Sequence, residues 1–323
     1  MQAVRFERFG GPEVLRVETL DVPQLDATSA LVAVRAASIN PSDVGNVAGR
    51  FPQTTLPRTP GRDYAGVVVE GPAGWVGAEV WGTGDGGFAR DGSHAGFVAV
   101  PGASLRKKPA RLSFAQAASA GVTFVAAWLG VIDYAALRPG ETLVVIGAAG
   151  GVGGAAVQIG RWTGARVIGV DRIVPEANSP AAVADDFVTP EPADSARVVN
   201  ELTAGRGADV VLNAVGGPTF EPSLHMLAHA GRLAVLASPG ERRQSFDLID
   251  FYRNESRIFG IDTLKRDATA SALILERLAP GFESGALRAP AIAAAFPLDR
   301  AAEAYRLASG PAHGRVVFEP QPA

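Results

Sequence analysis

Leu143-Val144-Val145-Ile146-Gly147-Ala148-Ala149-Gly150-Gly151-Val152-Gly153 decides how the rest of the chain is read. Four apolar residues predict a buried strand. A glycine-dense turn follows, and the spacing predicts a helix from Gly154 to Trp162, with Ala155, Ala156, Ile159 and Trp162 on its apolar stripe. A strand that turns through glycines into a helix is a dinucleotide-binding pattern. Gly147 opens the turn. Gly150 and Gly151, followed by Val152, let main-chain N–H groups come close to a pyrophosphate, and Gly153 lets the helix lie close to the strand. The exposed N–H groups and the dipole of the helix attract the anion.

Working outward, short apolar runs alternate with helix-length segments. Strands are expected at 143–146, 167–170, 186–188, 209–215, 232–237 and 257–261. This alternation predicts βα units around a parallel sheet. Asp171 ends the second strand, where a carboxylate accepts hydrogen bonds from ribose hydroxyls and repels a 2′-phosphate. Arg172 beside it argues the other way. It could grip a 2′-phosphate or stack on adenine, or serve only as a solvated loop charge.

The first third is β-like, with AVRF, VLRVETL, ALVAVRAASI, YAGVVVE, AEVWG and GFVAV punctuated by Gly, Pro and Asp. Residues 82–96 are glycine-dense and read as an exposed loop. A helix begins after Ser113 and is ended by Pro139-Gly140. Beyond Asp262 two helices, ATASALILERL and DRAAEAYRLA, lead to a final strand, GRVVFE. The return of a strand at the C-terminus suggests that the tail rejoins the first domain.

The chain has 323 residues, 47% of them hydrophobic, enough for a large core. Its 30 basic and 33 acidic residues are scattered, so no nucleic-acid surface and no membrane partner is expected. There is no cysteine, hence no disulfide and no thiolate metal ligand. No apolar signal core opens the chain and no uninterrupted apolar span is read, which makes a soluble cytoplasmic protein the expectation. His225 and His229 stand four apart on an expected helix and are the histidine pair to test for metal.

The ordered series FGGPEVLRVE (9–18), AASINPSDVGNVAGRFP (36–52), LPRTPGRDYAGVVVE (56–70), GVTFVAAW (121–128), the 145–171 segment, GADVVLNAVGG (207–217) and FPLDRAAEAYRLASGPAHGRVVF (296–318) resembles the medium-chain dehydrogenase/reductase superfamily, in its zinc-independent quinone oxidoreductase branch. The likeness covers nearly the whole chain. It implies an α/β fold with a GroES-like β-rich catalytic domain (1–118 and 263–323) and a Rossmann doubly wound parallel-sheet domain (119–262), the cofactor lying between them. It implies NAD(P)H as cofactor and a homodimer through Rossmann edge strands, with Ile258 to Ile261 at the edge. Zinc members carry a cysteine where this chain has Asn40, and Gly-His-Glu where it has Gly61-Arg62-Asp63. No metal site is expected.

A metal-free site suits hydride transfer to a quinone or an α,β-unsaturated carbonyl, which spreads its own developing charge. By resemblance, Asn40 and Asp43 are the candidate catalytic residues, Asn40 also touching the cofactor; both are equally ordinary turn formers beside Pro41. Thr123, read as starting a helix, resembles a family threonine near the nicotinamide, or is a helix cap. Asn213, Ala214 and Val215 follow one strand, and Ala237 and Ser238 another; these tips are expected along the cofactor. Arg315 replaces a common family lysine and reaches for phosphate or is a surface charge. Gly45 stands where many relatives have a tyrosine, which implies a wider pocket. A 2-enoyl thioester reductase and a catalytically silent dinucleotide-binding protein are the alternatives. A short-chain dehydrogenase is set aside, since no tyrosine has lysine four residues on, and a P-loop hydrolase fails for want of a Gly-Lys pair.

Overall fold

The computed structural model describes residues 1–237, 242–310 and 314–320, and the chain forms two compact units. Unit 1 comprises 1–122, 263–285 and 289–323, and unit 2 comprises 123–262 and 286–288.

Unit 1 opens with an antiparallel pair, β1 (Gln2–Arg5) and β2 (Arg16–Thr19). β3 (Ser29–Ser38) then runs into α1 (Pro41–Val47), and β4 (Asp63–Glu70), β5 (Glu79–Gly82) and β6 (Phe97–Pro101) follow. α2 (Phe114–Trp128) spans the junction of the units and continues into a π-helical turn over Leu129–Tyr134. Ser113 and Gln116 cap it reciprocally: the Gln116 N–H donates to Ser113 Oγ at 3.2 Å and the Ser113 N–H to Gln116 Oε1 at 2.9 Å.

Unit 2 carries β7 (Thr142–Ile146), α3 (Gly151–Trp162), β8 (Arg166–Val170), β9 (Asp186–Val188), α4 (Ser195–Leu202), β10 (Ala208–Asn213), α5 (Phe220–His225), β11 (Leu227–Val235), α6 (Leu248–Arg253) and β12 (Arg257–Gly260). The chain returns to unit 1 with α7 (Ala268–Ser284), β13 (Ile292–Phe296), α8 (Ala301–Ser309) and β14 (Arg315–Phe318).

In unit 2 the six strands lie parallel in the order β12-β11-β10-β7-β8-β9. The chain steps outward from β7 through β8 to β9, then returns to β10 on the other side of β7. The reversal point is the carboxyl end of β7, the usual place for a ligand in such a sheet. Register aligns the strand ends there: Ile146 is level with Val170 on one side and Asn213 on the other, and Asn213 with Val235. All five residues of β7 are buried, as a central parallel strand covered on both faces requires.

In unit 1, β13-β14-β3-β4-β5 form the main sheet, with β6 on β3. β14 pairs antiparallel with β3, so the last described strand delivers Arg315 next to Ser38 and Asn40. The core includes Phe6, Val32, Val68, Tyr305 and Phe318.

Several expectations are corrected. The helix after the glycine turn starts at Gly151, three residues early, because the glycines themselves supply its first turn. Residues 82–96 are not an exposed loop: Phe88, Ser93 and His94 are buried. The loop is tied down by main-chain bonds from Gly92 to Thr59 (2.8 Å), Ser93 to Gly61 (3.1 Å) and His94 to Pro60 (3.0 Å). The strand IAAAF (292–296) was not read, alanine being a weak strand signal. His225 ends α5 while His229 lies on β11, so they share no helix face; His229 instead faces Glu255 at 3.6 Å. One helical stretch, Phe114–Tyr134, is long and apolar enough to cross a bilayer by length and mean hydropathy, although polar residues interrupt it, and 83% of its 18-residue apolar window is buried inside the protein. It is a core helix.

Trp81 on β5 is wholly buried and meets the Phe282 ring of α7 edge-on, with centroids 5.6 Å apart. Trp81→Ala is expected to lower the unfolding free energy by about 3–5 kcal/mol. Urea titration of the two proteins checks it, and a loss below about 1 kcal/mol would show that this contact does not fasten α7.

Candidate functional site

In unit 2 the site grows from the glycine turn. Gly147 has φ +82° and Gly150 is extended, so the chain folds back beneath the start of α3. A Cβ at Gly153 would lie 1.9 Å from the Gly147 carbonyl oxygen; no other residue lets the helix come so near the strand. No side chain caps α3, and its first intrahelical bond is from Gly154 N–H to the Gly150 carbonyl at 2.7 Å. The N–H groups of Gly151, Val152 and Gly153 therefore lie at an uncapped helix start. A dinucleotide pyrophosphate fits this arrangement, since it needs donors, a positive dipole end and the absence of side chains.

Asp171 and the turn are joined. Its Oδ2 accepts the Ala149 N–H at 2.9 Å, and its Oδ1 accepts the Arg172 N–H at 2.7 Å. Each oxygen keeps a lone pair for a ribose hydroxyl. Arg172 is exposed. Ala214 and Val215 flank the turn: Ala214 N–H donates to the Ile146 carbonyl at 3.0 Å, and a Cβ on Gly147 would meet Val215 at 2.9 Å.

Asn213 has a different place from the one expected. It is fully buried, its Oδ1 accepting from Val215 N–H (2.9 Å) and Gly216 N–H (2.7 Å) and its Nδ2 donating to Thr219 Oγ1 (2.9 Å) and Ser223 Oγ (2.7 Å). It builds the loop after β10 instead of presenting its amide. Thr123 sits inside α2 and starts no helix, which removes the capping role. Ala237 follows β11 and is half-buried; Ser238 lies outside the described residues.

Unit 1 holds a buried polar cluster around Asn40 and Asp63. Asn40 closes β3 and caps α1, where its main-chain N–H donates to Asp43 Oδ2 at 2.8 Å. Its Nδ2 donates to Asp63 Oδ2 at 2.9 Å. The other oxygen of Asp63 accepts the Val122 N–H of α2 at 3.0 Å. A Cβ on Gly121 would sit 2.5 Å from that oxygen, so only glycine lets the carboxylate touch the helix. Arg62 donates to the Gly84 carbonyl (2.6 Å), Thr263 Oγ1 (2.9 Å) and the Thr263 carbonyl (3.2 Å). Arg315 Nη2 donates to Ser38 Oγ at 3.0 Å and to Asn40 Oδ1. Thus Asn40, Asp43 and Arg315 are brought together, with Asp63 and Arg62 completing a group of two carboxylates and two guanidiniums, all buried except the half-buried Arg315.

His94 adjoins this group. Its Nε2 faces the Ser38 carbonyl at 3.2 Å, which only accepts, so Nε2 carries the proton and Nδ1 accepts from Tyr305 OH at 2.9 Å. Burial pushes His94 down to about 4, leaving it neutral. Burial also pushes Asp43 up to about 6, against the Asn40 N–H and the Arg62 and Arg315 charges, and one of its oxygens has no hydrogen-bond partner. Asp63 is raised by the same cause.

Sequence reading missed His94, Tyr305 and the bonding of Asp63. His94 and Tyr305 stand 211 residues apart, and no local pattern joins them. Asp63 did carry a signal: a charge at the head of the strand DYAGVVVE, which is otherwise buried. Gly45 does not open a wide pocket at its own position, because a Cβ there would meet the Phe51 ring at 3.1 Å.

Asp43 and His94 respond to pH with opposite signs. Asp43 binds its proton more tightly folded (about 6) than at its ordinary 3.8, so its contribution is full below 3.8 and is lost as pH rises through 6. His94 binds its proton less tightly folded (about 4) than at its ordinary 6.5, so its contribution is full above 6.5 and is lost as pH falls through 4. Asp43→Asn, which keeps an acceptor for the Asn40 N–H, removes only the first slope. Between pH 4 and 6 its unfolding free energy is expected to rise relative to wild type by about 1 kcal/mol per pH unit. Parallel difference curves in urea would refute this.

Comparison with known proteins gives two family models. One described as "Alcohol dehydrogenase GroES-like domain" matches residues 26–110, and one described as "Zinc-binding dehydrogenase" matches residues 151–277. A zinc-type alcohol dehydrogenase-like protein of Schizosaccharomyces pombe is 36% identical over 297 residues, covering 88% of this chain and 86% of the relative. The quinone oxidoreductase of Pongo abelii is 30% identical over 316 residues, covering 94% and 93%. Among solved structures, an NAD-dependent alcohol dehydrogenase superposes with a TM-score of 0.89 at 32% identity, covering 99% of both chains. A mycobacterial quinone oxidoreductase gives 0.83 at 27%, covering 99% and 100%. Zinc appears in two of these names, yet this chain has no cysteine. Among the described residues no group of three or more His, Cys, Asp or Glu could hold a metal ion.

Proposed function

Since this chain belongs to the medium-chain dehydrogenase/reductase superfamily and is an oxidoreductase of that kind, binding a nicotinamide dinucleotide, we propose that it reduces a quinone or an α,β-unsaturated carbonyl with NAD(P)H and without zinc. One observation carries the proposal. Where zinc relatives place a cysteine and a histidine, this chain has Asn40 and Arg62, which are engaged with Asp63, Arg315, Gly84 and Thr263. Nothing in that donor set polarises a carbonyl as a Lewis acid would, which favours an acceptor that delocalises its own charge.

When bound, the reduced dinucleotide supplies the hydride. The protein's part is to bind and orient. The amides of Gly151, Val152 and Gly153 hold the pyrophosphate, and Asp171 accepts from the adenosine ribose. Ala214, Val215 and Ala237 line the ends of β10 and β11. Asn40 has one amide hydrogen beyond the bond to Asp63 and offers it to the acceptor oxygen. Asp43 holds the Asn40 main chain. The protein works in the cytoplasm on small molecules, with neither nucleic acid nor membrane as partner.

Mixing the protein with NADH or NADPH and a panel of quinones, enones and 2-enoyl thioesters, and following the absorbance of the reduced nicotinamide, tests the acceptor class. Oxidation only with the thioesters would redirect the assignment, and binding without oxidation would make the protein a silent binder. Asp171→Ser is expected to raise affinity for NADPH over NADH by roughly tenfold, equivalent to about 1.4 kcal/mol. An unchanged affinity ratio would remove Asp171 from the ribose.

We also propose a homodimer through the edge of the unit 2 sheet. β12 is the edge strand, with Ile258 36% exposed on it, and Leu248, Ile249 and Tyr252 are exposed on the preceding α6. Ile258→Lys should shift the sedimenting species to monomer, while a wild-type protein that already sediments as monomer would dismiss the dimer.

A further inference from the structure

Arg315 enters the sequence reading as a ligand for cofactor phosphate. Its bonds point elsewhere. We infer that Arg315 is a positioning residue for Asn40, fixing which way the side-chain amide faces, and that it does not serve the dinucleotide.

The amide of Asn40 has two chemically opposite ends, and each meets a neighbour of one kind only. Oδ1 faces the Arg315 guanidinium, which can only donate. Nδ2 faces Asp63 Oδ2 at 2.9 Å, which can only accept while ionised. A rotated amide would place Nδ2 against a cation and Oδ1 against a carboxylate, so one orientation is enforced from both sides. The guanidinium is held in turn by Ser38 Oγ at 3.0 Å. Strand register makes this possible: β14 pairs with the end of β3 (Val317 opposite Ser38), and Ile39 N–H donates to the Val316 carbonyl at 2.9 Å.

The guanidinium also lies where a phosphate ligand would be costly. The side chain is half-buried with its Nε fully so, and it shares its surroundings with Asp43 and Asp63, whose charges it offsets. Removing it to bind phosphate would leave those carboxylates without it. Both bonds leave one nitrogen, Nη2; a lysine has donors enough for both, but its head ends one bond short of that position.

The inference rests on the proposed reaction only for the purpose of the fixed amide. Its test does not. A double-mutant cycle of Arg315→Met and Asn40→Ala, read by urea unfolding, should be strongly non-additive, Arg315→Met costing far less once Asn40 is alanine. The dissociation constant of NADH or NADPH, read by nicotinamide fluorescence, should stay within twofold of wild type in Arg315→Met. If the wild type turns over a quinone, Arg315→Met should lower kcat about tenfold or more with cofactor KM little changed, and Arg315→Lys should recover only part of it. Additive unfolding effects, or cofactor affinity falling tenfold in Arg315→Met, would overturn the inference. Absence of turnover in the wild type would strike the proposed reaction and leave both of those readouts in place.

Discussion

The carboxylate of Asp63 is the contact on which unit 1 is organised. It is completely buried, and such a group is tolerated only when its lone pairs are met. One oxygen takes the side chain of Asn40 and the other takes the main chain of α2 at Val122. The head of α1, the start of β4 and the middle of α2 are thereby brought to one point. Gly121 is the steric condition for this, and Arg62 and Arg315 supply the compensating charge. Adjacent residues of one motif thus hold two distant segments of unit 1: Asp63 holds Val122, and Arg62 holds Thr263.

Unit 2 obeys a different constraint. Its strand ends are level, so the turns after β7, β8 and β10 meet at one rim. The contact between Gly153 and Gly147 sets how near α3 can approach that rim. Asp171 fastens the turn through Ala149, so the residue expected at the ribose also helps to shape the glycine turn.

Much of this was legible in the sequence, for physical reasons. Buried parallel strands leave continuous apolar runs, and close helix–strand packing demands glycine, so β7 to α3 could be read residue by residue. The GroES-like domain was implied by the resemblance of the ordered motif series to the medium-chain dehydrogenase/reductase superfamily, and the parallel sheet by both that resemblance and the apolar runs. What escaped reading has no local trace. The 82–96 segment is as glycine-rich as a surface loop, yet Gly86, Gly87 and Gly92 lie against the main chain at 60–61. Asn213 is as polar as a ligand residue, but its partners are its own loop. Arg315 showed no partner in the sequence because Asn40, which it bonds, lies 275 residues earlier in the chain.

The close fit of Asp63 against α2 has an evolutionary side. Restoring the ligand types of zinc relatives would mean a cysteine at 40, a histidine at 62 and a glutamate at 63. The added methylene at 63 would have to enter a space already closed by Gly121 and Val122, and removing the Arg62 guanidinium would release Thr263 and leave two buried anions short of a counterion. Each intermediate would lose stability before any metal could restore it. The packing around Asp63 therefore sets a stability cost on every single step toward those ligand types.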